Sequence, residues 1–93
     1  MPTLTFARPI ARWLPDHQGE LTLDSPAKTL RGALDGAFAA HPTLRGYVLD
    51  ERGTVRHHVA VFVDGVSITD KADLDVALDQ RASIFVMQAL SGG

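Results

Sequence analysis

Five apolar residues, Leu30, Ala33, Leu34, Ala37 and Phe38, recur at three- and four-residue spacing, which aligns them on one face of a helix. Elsewhere the apolar residues keep a different period. Leu4 and Phe6 alternate with Thr3 and Thr5, and Val59, Val61 and Val63 alternate with Ala60 and Phe62. Period two is the signature of strands with one buried face. One amphipathic helix among several alternating segments buries its stripe most simply by lying across a sheet. The chain has 93 residues, enough for one such domain, and 45% of them are apolar.

Along the chain, residues 3–14 begin as a strand, and Pro9 turns the later half into an edge or irregular extension. Residues 15–19 read as a loop, and residues 20–23 as a second strand closing an N-terminal hairpin. Ser25 followed by Pro26 predicts a helix cap and first helical position, and Pro42 ends that helix near His41. Gly32 and Gly36, four residues apart, predict a close approach of the helix to the sheet. A connection with Leu44, Tyr47 and Leu49 follows, then a turn at Asp50-Glu51-Arg52-Gly53. Residues 55–63 form the strongest strand, and Asp64-Gly65 is a hairpin turn into Val66-Ser67-Ile68. Residues 69–82 read as a loop with a helical turn anchored by Leu74, Val76 and Leu78, and residues 83–89 as the last strand. The predicted fold is α+β, a mixed sheet with one main helix packed across it.

Composition removes several functions. Nine Lys and Arg against eleven Asp and Glu give a net charge of −2, and the basic residues form no stripe, so a nucleic-acid binder relying on phosphate neutralisation is not expected. Without cysteine there is no disulfide, thiolate nucleophile or cysteine-bound zinc. No apolar run reaches membrane-spanning length, and no signal-peptide pattern stands at Met1, so a cytoplasmic protein with no membrane partner is expected. No catalytic grouping or phosphate loop stands out, and the chain is not expected to be an enzyme. His57 and His58, adjacent on the predicted strand, would point to opposite faces and hold no shared metal.

The chain's end is the informative segment. The last strand runs into Leu90-Ser91-Gly92-Gly93, where two residues without Cβ atoms let the backbone enter a channel too narrow for side chains. A terminal carboxylate has a reference pKa of roughly 3.3–3.7 and is ionised at neutral pH. It suits attack on the α-phosphate of ATP, and displacement of AMP by sulfide then leaves a thiocarboxylate. A Gly-Gly end alone is more often an ordinary frayed terminus; its position directly after a strand, in this order of elements, gives it meaning.

The order of elements, the stretch His58-Val59-Ala60-Val61-Phe62-Val63-Asp64-Gly65 and the ending Phe85-Val86-Met87-Gln88-Ala89-Leu90-Ser91-Gly92-Gly93 resemble the MoaD/ThiS family of sulfur carriers, over essentially the whole chain. Residues 41–50 also resemble one branch of it. The resemblance implies the β-grasp fold shared with ubiquitin, with a domain over residues 1–89 and a flexible tail over 90–93. It implies Gly93 as the site of adenylation and thiocarboxylate formation, and Leu90, Ser91 and Gly92 as its tail. No cofactor would be bound stably; ATP would be used by a ubiquitin-activating-type adenylating enzyme. The other implied partners are a sulfur donor (sulfide or a persulfide carrier) and a sulfur-accepting synthase; in the molybdopterin branch the chain would be the small synthase subunit. Two departures stand out: Asp64 replaces an Asn common in the family, and Asp79-Gln80-Arg81-Ala82 lacks the glycine of the usual turn before the last strand.

If Val61, Val63, Ile84 and Val86 point inward, Phe62, Phe85 and Met87 face outward near the root of the tail, an apolar patch suited to partner docking. The alternative for these residues is cover by the chain itself, from Trp13 or the segment around Pro9. Arg8, Arg12, Arg45, Arg52, Arg56 and Arg81 read as solvated surface, with docking a minority role, and Lys28 and Lys71 as solubilising residues. Two other functions fit the sequence: a covalent protein modifier using the same activated carboxylate on a target lysine, and a noncovalent β-grasp interaction module.

Overall fold

The computed structural model describes residues 1–7 and 20–88, and its elements run β1 (Thr3–Phe6), β2 (Leu21–Asp24), α1 (Leu30–Ala40), α2 (Thr43–Val48), β3 (Val59–Val63), β4 (Val66–Ser67) and β5 (Ser83–Gln88). The expectations for Pro9, Trp13, Arg8, Arg12, the loop at 15–19, Ala89 and the tail Leu90 to Gly93 lie outside the described residues. The five strands form one mixed sheet in the order β2-β1-β5-β3-β4. β5 occupies the middle, parallel to β1 and antiparallel to β3, while β1–β2 and β3–β4 are antiparallel hairpins.

One face of the sheet and the stripe of α1 form the core. Leu4, Phe6, Val59, Val61, Ile84 and Val86 meet Leu30, Ala33, Leu34, Ala37 and Phe38, all buried. This is the outcome the two periods of the sequence demand. The β3–β4 turn also forms as expected: Asp64 and Gly65 have φ of 52° and 83°. Two successive positive φ values fit the twist of a two-residue hairpin, and Asp and Gly tolerate them. The Asp64 carboxylate accepts the Ser83 N–H at 2.9 Å, so the turn is also tied to the start of β5.

Five expectations are corrected. The cap of α1 is Thr29, whose hydroxyl accepts the Gly32 N–H at 3.1 Å; Ser25 instead accepts the Ala27 N–H at 3.2 Å in a local turn. The reason is tertiary. The N–H groups of Leu30 and Arg31, which a helix start leaves unpaired, donate to the carbonyls of Val76 (2.9 Å) and Leu74 (2.8 Å), so the neighbouring loop fixes where the helix begins.

That loop, residues 69–82, contains no helix, only hydrogen-bonded turns at 70–73 and 79–82; between them it passes Thr29 through a single bridge to Ala77, with Leu74 buried beneath it. Residues 43–48, expected to be a connection, form α2, which buries Leu44 and Val48. Six residues including Gly46 give too short and weak a periodic signal to see in sequence.

Gly36 does not approach the sheet, since a Cβ there would meet nothing within 4 Å. Gly32 is the tight position, with a Cβ placed 3.1 Å from that of Ala27. Finally, β3 begins at Val59 rather than at residue 55. Val55 makes only an isolated bridge to Leu49, and His57-His58 form a turn closed by the Val59 N–H on the Arg56 carbonyl (2.9 Å). No helix among the described residues is long and apolar enough to cross a membrane.

Candidate functional site: the sheet face and the strand that leads to the tail

Register places the sequence-derived docking residues together. Phe62 on β3 stands opposite Phe85 on β5, and Ala60 opposite Met87. The row continues from Phe85 to Thr5 on β1, from Thr5 to Thr22 on β2, and from Phe62 to Ser67 on β4. Directly opposed residues on one face have Cβ atoms roughly 4.5–5.5 Å apart, so this is one continuous strip across the sheet. Its ends are polar: the hydroxyls of Thr5 and Thr22 lie 3.2 Å apart. Its middle is aromatic. Phe62, Phe85 and Met87 are half-buried, while Val61, Ile84 and Val86 between them are buried on the opposite face. The alternation thus assigns the outward set correctly, and the two phenyl rings and the thioether form a single patch at the centre of the sheet.

The same register locates the last described residue of β5. Gln88 is opposite Val59, so β5 as described ends beside the first residue of β3. The three residues before Val59 are Arg56, His57 and His58. The Arg56 side chain donates from Nε to the Gly46 carbonyl at 2.9 Å. Lys71 reaches the same turn, its Nζ donating to the carbonyls of Arg56 (3.3 Å) and His57 (3.0 Å). The imidazole rings of His57 and His58 sit edge to face with centroids 5.8 Å apart, not on opposite faces of a strand as expected. This cationic turn beside the end of β5 was missed in the sequence. Its residues were visible, but their position depends on the β3–β5 register, which no local pattern encodes.

Next to it, Asp50 organises the preceding turn. Its carboxylate accepts N–H bonds from Arg52 (2.9 Å) and Thr54 (3.0 Å). The bond from Thr54 chiefly, then that from Arg52 and the charges of Arg56 and Arg52, hold it below its ordinary value against partial desolvation. Among the described residues no three His, Asp or Glu side chains group as metal ligands. Lys28 is exposed, whereas Lys71 is committed to the turn. Gly93 and the tail residues Leu90, Ser91 and Gly92 lie beyond what is described.

A five-stranded mixed sheet with a helix across one face, its middle strand last in the chain, is the ubiquitin-like β-grasp fold. Solved structures share it over nearly their whole length. CysO in the Amycolatopsis orientalis BexX/CysO complex is 12% identical, with 100% of each chain covered and a TM-score of 0.79. Mycobacterium tuberculosis CysO is 13% identical over 94% of this chain and 99% of that one, with a TM-score of 0.74. SAMP1 of Haloferax volcanii is 21% identical over 98% of this chain and 99% of that one, with a TM-score of 0.66. At these identities the likeness is one of fold. No protein-family model matches the chain, and no curated protein matches it in sequence.

Proposed function

We propose that the protein is a ubiquitin-like sulfur carrier that acts in the cytoplasm as a substrate of partner enzymes. Its working group would be the Gly93 carboxylate, held on the short reach Leu90-Ser91-Gly92. The observation carrying this reading is the placement of β5. The strand that continues into Gly-Gly is the middle strand of the sheet, and it ends beside the aromatic patch of Phe62, Phe85 and Met87. A partner gripping that patch would stand over the root of the tail.

The chemistry required of the chain is small. In an adenylating enzyme a carboxylate oxygen would bond to the α-phosphorus of ATP and release pyrophosphate. Sulfide would then add to the acyl carbon and expel AMP, leaving a thiocarboxylate. With a persulfide carrier as donor, the acyl disulfide formed first would need a thiol to reduce it. The thiocarboxylate would finally pass its sulfur to a synthase making a cofactor or metabolite. That CysO is found in complex with BexX supports protein partners of this general kind for a chain of the same fold.

A second reading, the covalent protein modifier, draws on the likeness to small archaeal modifier protein 1. Intact-mass analysis of the untagged protein, taken from its own cells beside a variant lacking Gly93, tests the first. A species in which one sulfur replaces one oxygen, lost on deletion of Gly93, is expected. A plain carboxylate after incubation with ATP, sulfide and the cognate adenylating enzyme would overturn it. Higher-mass lysine conjugates would favour the modifier.

A further inference from the structure

Strand β4 is an open edge with an unusual composition. Among the described residues it pairs only with β3. The Ile68 N–H donates to the Val61 carbonyl at 3.0 Å, which makes Val61 and Ile68 a hydrogen-bonded antiparallel pair. By alternation, the N–H and C=O of the preceding residue, Ser67, aim away from the sheet. Beside them Val66 is 70% exposed, one of two large apolar residues so open to solvent among those described. Natural edges are usually blunted by shortness, lysine, proline or a bulge; β4 is only two residues long but carries no lysine, proline or bulge.

A groove of about 410 Å³ runs along this edge. Its apolar floor comes from Val63, Val66, Ile68 and Val76, and its rim from Asp70 and Asp73. Among the described residues no basic one lines it. Lys71, next to Asp70 in the chain, is turned away onto the carbonyls of Arg56 and His57. Arg31 is paired with Asp75 at 3.0 Å, the one ion pair among the described residues, so Asp70 and Asp73 have no described cation at pairing distance.

We infer that this edge binds an extended peptide segment by strand addition, with the segment's alternate apolar side chains in the groove and a Lys or Arg flank against Asp70 and Asp73. The outward N–H and C=O of Ser67 start the ladder, the groove selects side chains, and the acidic rim selects charge. A second copy of this chain is a poor occupant, because edge-to-edge pairing would bring two sets of Asp70 and Asp73 together in a protein already at −2. The groove lies at the turn end of β3, roughly 13 Å from Val59 and the end of β5 at four residues of strand rise. A segment seated here stays clear of the described end of β5, although Ser67 is the direct neighbour of Phe62; the inference rests on the edge and its groove and stands independently of the carrier reading.

The test uses the full ¹⁵N-labelled chain and an acetylated peptide, Lys-Thr-Val-Thr-Val-Arg-Lys, against a control with Glu in place of each Lys and Arg. Expected are saturable amide shifts at residues 66–70, 73 and 76, slowed exchange of the Ser67 N–H, and no binding of the control. V66K, at an exposed site, keeps the spectrum elsewhere and loses binding. D70N with D73N weakens it by about tenfold, and raising the salt to half molar does likewise. No saturable binding of the basic peptide, equal binding of the acidic one, or full binding by V66K would overturn the proposal. So would shifts centred on Phe62 and Phe85, or concentration-dependent shifts at Ser67 without peptide, which would identify a second copy as the occupant.

Discussion

Phe62 on β3 stands directly opposite Phe85 on β5, on the sheet face away from α1, with Val61 and Val86 buried behind them. Each ring is half-buried, so each contributes to stability and keeps surface for the docking role proposed above. The two roles separate by substitution.

F62A and F85A should each cost about 1–2 kcal/mol, less than a fully buried aromatic. As neighbours they should couple by about 0.5–1 kcal/mol in a double-mutant cycle followed by urea unfolding. In ATP–pyrophosphate exchange with the cognate adenylating enzyme, each should raise the KM for this protein about tenfold with kcat nearly unchanged. An unchanged KM would remove the patch from docking.

Thr29, not Ser25, caps α1. T29A should therefore destabilise the protein by about 1 kcal/mol, whereas S25A should cost half of that or less. Equal losses in chemical denaturation would contradict the assignment.

The two helix glycines should respond with different magnitude. Gly36 is exposed with open space around it, so G36A should stabilise by about 0.5–1 kcal/mol through helix propensity. In G32A the new methyl would lie 3.1 Å from the Ala27 Cβ, and most or all of that gain should vanish. Thermal unfolding of the two variants decides it.

Asp50 gives a pH signature. Its folded-state pKa lies below the ordinary 3.8, so in acid the unfolded chain binds the proton more readily than the native one. The stability it contributes is complete above 3.8 and is lost as pH falls through the lowered folded value. Urea midpoints measured across this range should fall less steeply with acid for D50N than for the wild type. Parallel curves would show that the Thr54 and Arg52 N–H bonds do not act on the carboxylate as described.

What could be read from sequence was local and periodic. The helix stripe, the alternation that puts Phe62 and Phe85 outward, and the Asp64-Gly65 turn each follow from a few neighbouring residues. The misreadings share another cause. Ser25-Pro26 is as good a start signal as any, yet the carbonyls of Leu74 and Val76, more than forty residues away, place the helix start at Leu30. α2 escaped notice because six residues carry less than two turns of pattern. The turn at Arg56-His57-His58 had no meaning until register set it beside Gln88, and register is a property of two strands.

The parallel pairing of β1 with β5 joins the first strand of the chain to the last described one, Thr3 opposite Ser83. Without β5 the sheet falls into two unconnected hairpins, β1–β2 and β3–β4. During synthesis, then, the Phe62–Phe85 pair and the core both stay incomplete until β5 has left the ribosome. A prematurely ended chain offers neither a folded body nor Phe85 to a partner. The fold thereby acts as a completeness check: a chain not translated through β5 has neither a closed sheet nor Phe85 beside Phe62.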